Sequence, residues 1–437
     1  MSGRGVAPFG CLDGRRRDAP AQLLDTIGDY SWPLFRADAL AGVSVALVAL
    51  PLCIAIAIAS GSTPFVGLVT AIIGGFIISA TSGSRVQIGG PTGAFIVVVY
   101  GVIQDHGMDG LIVATVMGGI ILIVAGFFRA GRLIALVPEP VIDGFTIGIA
   151  GIIAVSQLKD AFGYREGRAP ADMLPKLEWL WDARNTVSLA AIGVTIATIA
   201  AILLLRRWRP RWPVLVIAVG AASIAVLFLH LPVDTVGSRF GTLPSGLPAP
   251  HWPELTPYRL LRLLPSAITI AFLAGVESLL SAIVADRMFD GHHRPSAELL
   301  AQGYANVVTP LFGGLPVTGA IARTATNVRA GGRTPVAGMV HALVILTVVL
   351  MAGGLAGALA LPALAAVLLV TAYHMAEPEK WREHLRLPWD ELLVLALTLM
   401  LTIFADLTIA IGVGVALGLF LRWWKGKVAK LWRPREH

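Results

Sequence analysis

Long apolar runs recur along the whole chain, and they constrain its fold more than any other feature. A helix needs about 20 apolar residues to cross the hydrocarbon core of a bilayer. Runs that approach this length occur at 39–59, 111–128, 189–205, 214–229, 335–351 and 392–404. The 437 residues are 56% hydrophobic and only 14% charged, whereas about 25% charged residues are usual in soluble domains. These features predict an all-α polytopic membrane protein.

Charge and cysteine content argue against several other classes of protein. The formal net charge is +7, but basic residues in membrane proteins mostly report topology, so this charge does not indicate nucleic-acid binding. Cys11 and Cys53 provide neither a disulfide framework nor a CxxC metal site. Because residues 1–36 contain no apolar core, a cleaved signal peptide is not expected. Residues 1–37 are instead predicted to form a cytoplasmic tail with little order before residue 21.

Hydropathy divides the chain into fourteen predicted segments, numbered 1 to 14 in chain order. Arginine and lysine follow the even-numbered segments, while the short connections after segments 3, 11 and 13 lack both. Because basic loops stay in the cytoplasm, both termini are predicted to be cytoplasmic, including a basic tail at 425–437. The segments cover 38–59, 65–82, 92–103, 109–128, 140–158, 187–205, 212–230, 264–285, 297–312, 318–328, 335–353, 361–375, 389–404 and 407–424.

A repeated Thr-Gly-Ala motif predicts an internal repeat. Segments 3 and 10 both contain it after a Gly- and Pro-rich stretch, and both are long enough for only half a membrane at 1.5 Å per residue. A shift of 226 residues (318 − 92) aligns the two motifs and also aligns segment 1 with segment 8. The two copies are seven segments apart. Because seven is odd, the two halves of the chain should insert in opposite orientations, as in inverted-repeat transporters. The predicted repeats are 38–230 and 264–424, joined by an extracytoplasmic loop at 231–263.

The two half-helices predict an anion site near the middle of the membrane. Irregular backbone is tolerated there only where it is buried or lines a cavity, and two helix N-termini would direct N–H groups and positive dipole ends at one point. Arg323, one turn into segment 10, either attracts the anion or forms a structural ion pair with Glu277. Thr92 and Thr318 either cap the half-helices or contact the substrate, and Phe95 either lines the cavity or packs.

Glu277 is the acidic residue of segment 8 that borders this proposed site. Three roles stay open for it: carrying a proton, coordinating Na⁺ together with Ser281 one turn later, or pairing with Arg323. His341 and His374 have no companion at ligand spacing, so no other metal site and no further cofactor are expected.

At these residues the chain resembles the SulP family of sulfate permeases and related anion transporters. The resemblance extends over 38–424 and is strongest in "GSRVQIGGPTGAF" (83–95), "GVESLLSAIVADRM" (275–288) and the stretch 298–342. It implies a fourteen-segment, seven-plus-seven fold that is shared with nucleobase carriers. Segments 1–4 and 8–11 would form a core domain that moves like an elevator against a gate domain of segments 5–7 and 12–14. Homodimers are common in the family.

The resemblance also implies a set of site residues. Substrate-binding positions fall on Thr92, Gly93, Ala94, Phe95, Thr318, Gly319, Ala320 and Arg323, and coupling-ion positions fall on Glu277 and Ser281. In sodium–bicarbonate members the two coupling positions form the sodium site, whereas proton-coupled dicarboxylate members have a similar "ESLL" segment and "AIAR" arginine. Two departures matter. The sequence ends at His437 without the cytoplasmic STAS domain of many members, and Pro51 is followed by Leu52 where many have glutamine.

The leading functional hypothesis is a non-enzymatic secondary transporter in the plasma membrane, coupled to H⁺ or Na⁺. Its substrate would be bicarbonate, sulfate or a C4-dicarboxylate. An anion channel or exchanger is an alternative that a fixed electropositive constriction would support. A nucleobase carrier on the same fold is disfavoured, because such carriers typically have a carboxylate in segment 10, where this chain has Arg323. An intramembrane enzyme would need a paired-Asp, Ser–His or multi-His constellation, which the sequence lacks.

Overall fold

The computed structural model describes most of the chain between residues 22 and 424. The stretch before residue 21 that is predicted to have little order, the basic tail at 425–437 and Cys11 all lie outside the described residues. The described residues are 22–28, 30–131, 137–164, 170, 172–209, 212–242, 244, 246–289, 291–405 and 407–424.

The architecture is helical, with one minimal pair of strands. The strands are β1 (Gly89–Gly90) and β2 (Thr318–Gly319), and a 3₁₀ turn covers Gly93–Phe95. The helices are α1 (Gln22–Ile27), α2 (Trp32–Ala59), α3 (Pro64–Thr81), α4 (Ile96–Phe127), α5 (Glu139–Phe162), α6 (Met173–Asp182), α7 (Leu189–Trp208), α8 (Val214–Phe228), α9 (Val236–Phe240), α10 (Pro257–Phe289), α11 (Pro295–Leu311), α12 (Ile321–Arg329), α13 (Val336–Ala356), α14 (Leu361–Met375), α15 (Trp381–His384), α16 (Trp389–Phe404) and α17 (Leu407–Trp424).

The lengths of the helices fit a polytopic membrane protein. Within the described residues, seven helical stretches are long and apolar enough to cross a bilayer. They are Trp32–Ala59, Pro64–Thr81, Gly93–Phe127, Glu139–Phe162, Leu189–Trp208, Pro257–Phe289 and Leu361–His384. Shorter apolar helices, including Val214–Phe228 and Val336–Met351, add to these. The chain therefore passes through the membrane repeatedly.

Several helix boundaries differ from the predicted segments, and α2 already begins at Trp32, inside the predicted tail 1–37. Helix α10 begins at Pro257, inside the predicted loop 231–263, and that loop also contains α9. Hydropathy alone missed the first turns of α10 because Arg259 and Arg262 make them amphipathic. Predicted segments 3 and 4 run together in α4, which is interrupted at Gly107, where φ is 69° and ψ is −176°. Glycine accepts this left-handed φ without a steric cost.

The all-α prediction needs a correction at the two Thr-Gly-Ala motifs. Neither motif starts a helix at its threonine: Thr318 lies in β2, and Thr92 precedes the 3₁₀ turn. The Gly- and Pro-rich stretch before each motif cannot continue a helix, since proline lacks an N–H donor. At membrane depth an extended backbone must still pair its polar groups. The two stretches meet this requirement by pairing with each other as β1 and β2.

The helices form two groups that contact mainly within themselves. The first contains α2, α3, α4, α10, α11, α12 and α13, and the second contains α5, α7, α8, α14, α16 and α17. Small residues allow close packing in the first group. At the contact between α4 and α11, a Cβ on Gly119 would lie 2.8 Å from the Gly303 carbonyl oxygen, and a Cβ on Gly303 would lie 2.8 Å from the Gly119 carbonyl oxygen. The groups meet chiefly where α2 contacts α14 and α8.

Candidate functional site at the strand crossing

The two Thr-Gly-Ala motifs meet in the first helix group. Strands β1 and β2 are antiparallel, with Gly89 opposite Gly319 and Gly90 opposite Thr318. The Ala320 amide extends the pairing by donating to the Ile88 carbonyl at 2.8 Å. One or two residues after each strand a helical turn begins, and its first N–H groups have no partner within the helix. Positions 228 and 230 residues apart in sequence are therefore neighbours.

Two glycines at this crossing make room for polar side chains. A Cβ on Gly90 would collide with Nη1 of Arg323, and a Cβ on Gly319 would collide with Nε2 of Gln87. The glycines in both approaches thus serve close packing as well as chain reversal.

Arg323 is buried beside the crossing, with 1% of its surface exposed. Its Nη2 donates to the Pro91 carbonyl at 2.7 Å, so the guanidinium is held by the backbone just after β1 and not by a hydrogen bond to Glu277. Within the described residues, Nε and Nη1 of Arg323 have no hydrogen-bond partner. A buried cation with two unused donors is costly to maintain without an anion.

The hydroxyl groups of Thr92 and Thr318 both bind helix α10. Thr92 Oγ1 donates to Glu277 Oε2 at 2.7 Å, and Thr318 Oγ1 donates to the Ala274 carbonyl at 2.9 Å. Thr92 makes no side-chain capping bond, and the N-cap of α12 is Ala320. The helix-capping interpretation of both threonines is therefore wrong, because α10 offers their hydroxyls acceptors instead.

Glu277 and Ser281, one turn apart on α10, face different partners. Glu277 is half-buried and lies within electrostatic reach of Arg323. Ser281 is fully buried, and its Oγ lies 3.3 Å from Thr324 Oγ1 on α12. Thr324 Oγ1 also accepts from the Ile88 amide at 3.0 Å. The structure thus joins Glu277 to the stretch after β1 through Thr92, and Ser281 to α12 through Thr324.

Gly93, Ala94 and Phe95 lie where the two helix groups meet. Phe95 is 2% exposed and belongs to the main apolar core, so it packs in this structure. A Cβ on Gly93 would lie 3.1 Å from Met375 Sδ and 3.4 Å from Ile153 Cδ1. Because Ile153 and Met375 belong to the second group, the first turn after the crossing is covered by that group.

A polar stripe on α11 supports the crossing, and sequence reasoning missed it as a unit. Glu298, Gln302 and Asn306 recur at spacings of four, which places them on one helix face. Asn306 brackets the backbone of Val317, donating from Nδ2 to its carbonyl at 2.8 Å and accepting its amide at 2.9 Å. This periodicity is visible in "ELLAQGYAN" and could have identified the stripe.

Glu298 is fully buried and accepts four hydrogen bonds. Its donors are Ser82 Oγ at 2.5 Å, the Gly83 amide at 3.1 Å, Ser278 Oγ at 2.6 Å and Gln302 Nε2 at 2.7 Å. A carboxylate offers about four acceptor positions, so this set occupies them all. The residue therefore ties α3, α10 and α11 together directly behind Glu277.

Gln87 is a further supporting residue, and no pattern in the sequence singles it out. Its Nε2 donates to Ser278 Oγ at 2.9 Å and to the Ser278 carbonyl at 3.2 Å. Asn327 Nδ2 donates to the neighbouring Val86 carbonyl at 2.8 Å. The approach to β1 is thus held by α10 on one side and α12 on the other.

The chemistry of the crossing is suited to an anion. Among the described residues, no group of three or more His, Cys, Asp or Glu side chains could hold a metal ion. The groups that remain available are backbone N–H donors of two helical turns and the free donors of Arg323. Both kinds of donor favour a negatively charged ligand.

Comparison with known proteins identifies the family of this site. The model of the sulfate permease family matches residues 35–398. YvdB of Bacillus subtilis, which carries the name of a proposed sulfate transporter, is 40% identical over 393 residues, covering 90% of this chain and 73% of YvdB. The bicarbonate transporter BicA of Synechocystis is 29% identical over 386 residues, covering 86% of this chain and 68% of BicA.

Solved structures agree with the family match. The transmembrane domain of a cyanobacterial bicarbonate transporter BicA superposes with a TM-score of 0.79 at 28% identity, covering 87% of this chain and 98% of that domain. The murine anion transporter Slc26a9, in its inward-facing state, superposes with a TM-score of 0.84 at 16% identity, covering 97% of this chain and 74% of that one; at this identity it shows the shared fold only. The chain, a multi-pass membrane protein of transporter fold, belongs to the sulfate permease family.

Proposed function

We propose that this protein is a secondary active transporter of small anions and that the anion binds at the strand crossing. The observation that carries the proposal is Arg323, a buried guanidinium with Nε and Nη1 unpartnered within the described residues. An anion between the two helical turns would accept from these donors and compensate the buried charge. Thr92, Gly93, Ala94 and Phe95 would form one side of the site, and Thr318, Gly319 and Ala320 the other.

Bicarbonate, sulfate and a C4-dicarboxylate are the proposed substrates. Helix N-termini and one arginine suit all three, because each offers oxygen acceptors and negative charge. The relatives named for sulfate and bicarbonate transport support the first two, and the sequence resemblance in "ESLL" and "AIAR" supports the third.

We infer that the fold comprises fourteen segments in two inverted repeats with half-helices at segments 3 and 10. The helix contacts support this, because packed pairs recur with the repeats exchanged. The contact of α4 with α11 corresponds to that of α13 with α3, and the contact of α16 with α5 corresponds to that of α7 with α14. Such exchange symmetry suits elevator motion of the first helix group against the second.

Glu277 is the proposed coupling residue, with H⁺ or Na⁺ as the coupling ion. Its half-buried carboxylate is joined to the first repeat by Thr92 and lies near Arg323. A proton or sodium ion there would change the local charge next to the anion. Ser281, one turn away, remains the proposed second sodium ligand.

The setting of the transporter follows from topology and family. We infer a plasma-membrane protein with both termini in the cytoplasm, because basic residues cluster on that predicted side. Homodimers are expected from the family resemblance.

Uptake into proteoliposomes tests the proposal. Labelled sulfate, bicarbonate and succinate would be supplied with and without imposed pH and Na⁺ gradients. Accumulation of one anion above its equilibrium level, driven by either gradient, is the expected result. Anion flux that only follows the anion's own gradient would favour a channel or exchanger, and uptake of a nucleobase alone would favour the carrier alternative.

A further inference from the structure

A polar cavity that is distinct from the strand crossing lies between the two helix groups. It has a volume of about 320 Å³ and lies where the chain enters the connections 159–186 and 231–263. Its polar lining includes Tyr100, Gln157, Lys159, Asp160, Lys176 and Arg239. This volume is far larger than a single water requires, so the cavity can hold a small anion together with hydrating water.

Lys176 is the unusual residue of this cavity. It lies on α6 and is only 5% exposed, whereas lysine is rarely buried without a partner. Its ammonium sits 5.4 Å from the centre of the Tyr100 ring, a cation–π contact. Burial lowers the pKa of Lys176 from its ordinary value, and nearby Asp172 opposes this shift only in part.

The other charges of the cavity leave a positive excess around Lys176. Arg239 is neutralised by Asp160 at 2.6 Å and by Asp234 at 3.0 Å. Lys159 lies over the ring of Trp179 at 5.5 Å. Among the polar lining residues, Asp160 is the only carboxylate, and Arg239 occupies it. The lining thus has three basic side chains against one carboxylate, and an anion would find no unpaired carboxylate among the lining residues.

The cavity also leads toward the strand crossing. Ile96 and Val97, which line it, directly follow Phe95 of the proposed site. Ile152 lines it as well and adjoins Ile153, which contacts the position of Gly93. The apolar contact of Ile153 therefore separates the cavity from the crossing.

We propose that this cavity is a second anion site, in which Lys176 holds a small oxyanion or carboxylate before it reaches the crossing. The role in transport rests on the proposed function, whereas anion binding at Lys176 does not. The positive charge of Lys176 then determines how tightly the cavity binds an anion that enters from the face carrying α6.

Thiol labelling of the reconstituted full chain tests binding without transport. Ser156→Cys places a thiol in the cavity lining, and the rates of reaction with a sulfonate-bearing and a trimethylammonium-bearing methanethiosulfonate reagent are compared. The unsubstituted protein measures background labelling of Cys11 and Cys53. We expect the anionic reagent to be favoured and sulfate or bicarbonate to slow it. Adding Lys176→Gln should lower that preference and the protection by about tenfold, the effect of one charge-assisted hydrogen bond.

Two further variants keep the result interpretable. Lys176→Arg should retain the preference and the protection, because it keeps the charge. Lys380→Gln, which removes an exposed lysine outside the cavity, should change neither. Reagent preference and sulfate protection that stay unchanged in Lys176→Gln would overturn the proposal. Protection that depends on Lys176 in a protein without anion uptake would uphold this site and reject the proposed function instead.

Discussion

Thr92 and Glu277 are joined by a 2.7 Å hydrogen bond between residues 185 positions apart. The hydroxyl belongs to the stretch between β1 and the 3₁₀ turn at Gly93–Phe95, and the carboxylate belongs to α10. Since the same carboxylate lies near Arg323, this bond connects the two sides of the proposed site. A change in the charge of Glu277 would therefore alter the electrostatic potential on both sides of the anion site.

Glu277→Gln should separate anion exchange from driven accumulation. A glutamine oxygen can still accept a hydrogen bond from Thr92, so folding should survive. The neutral amide, however, cannot gain and lose a proton, and it has no negative charge with which to bind Na⁺. Exchange of labelled for unlabelled anion should continue, and accumulation under a pH or Na⁺ gradient should disappear. Glu139→Gln is the matched control, because it makes the same change at an exposed glutamate. A glutamine variant that accumulates anion normally under both gradients would exclude the coupling role.

Arg323→Ala should reduce anion uptake by about 100-fold while the protein stays folded. Hydrogen bonds to charged groups contribute about 1.5–3 kcal/mol each, and Arg323 has two free donors for the anion. Initial uptake rates in proteoliposomes measure the effect, and gel filtration in detergent checks folding. Arg323→Lys should restore little, because lysine lacks the planar fork of donors. Uptake by Arg323→Ala with unchanged rate and apparent affinity would show that Arg323 does not bind the anion.

Gly90→Ala should impair transport through Arg323. The added Cβ collides with Nη1 of the guanidinium, which should displace it from the Pro91 carbonyl and reduce uptake roughly tenfold or more, the value of one charged hydrogen bond. Gly331→Ala is the matched control, since it also places a side chain at a positive φ, of 95°, and nothing lies within 4 Å of a Cβ there. Equal uptake by the two variants would show that the close approach of Gly90 to Arg323 is unimportant.

Glu298→Gln should destabilise the protein without touching the anion. One carboxylate oxygen becomes an NH₂ group that faces existing donors, so at least one of the four hydrogen bonds is replaced by repulsion. We expect a loss of about 1–3 kcal/mol in the free energy of unfolding. Thermal unfolding in detergent measures this against Glu139→Gln, which alters an exposed glutamate. Identical unfolding temperatures for the two variants would contradict a supporting role for Glu298.

The sequence by itself determined that the chain crosses the membrane repeatedly and that its two Thr-Gly-Ala motifs are special. Apolar length and the scarcity of charge are properties of the chain, and they follow directly from the cost of polar groups in lipid. The resemblance in the stretches around Glu277 and Arg323 also sufficed for the family, which the match over 35–398 confirms.

Only the tertiary structure decided how those residues are held. Sequence could not show that Arg323 binds the Pro91 carbonyl and not Glu277, or that the two glycine-rich approaches pair as strands. These outcomes depend on which buried donors and acceptors come within about 3 Å of each other. Such distances are set by the packing of helices from distant parts of the chain, which local sequence does not encode. For the same reason, the sequence did not reveal the cavity at Lys176, whose lining residues come from distant parts of the chain.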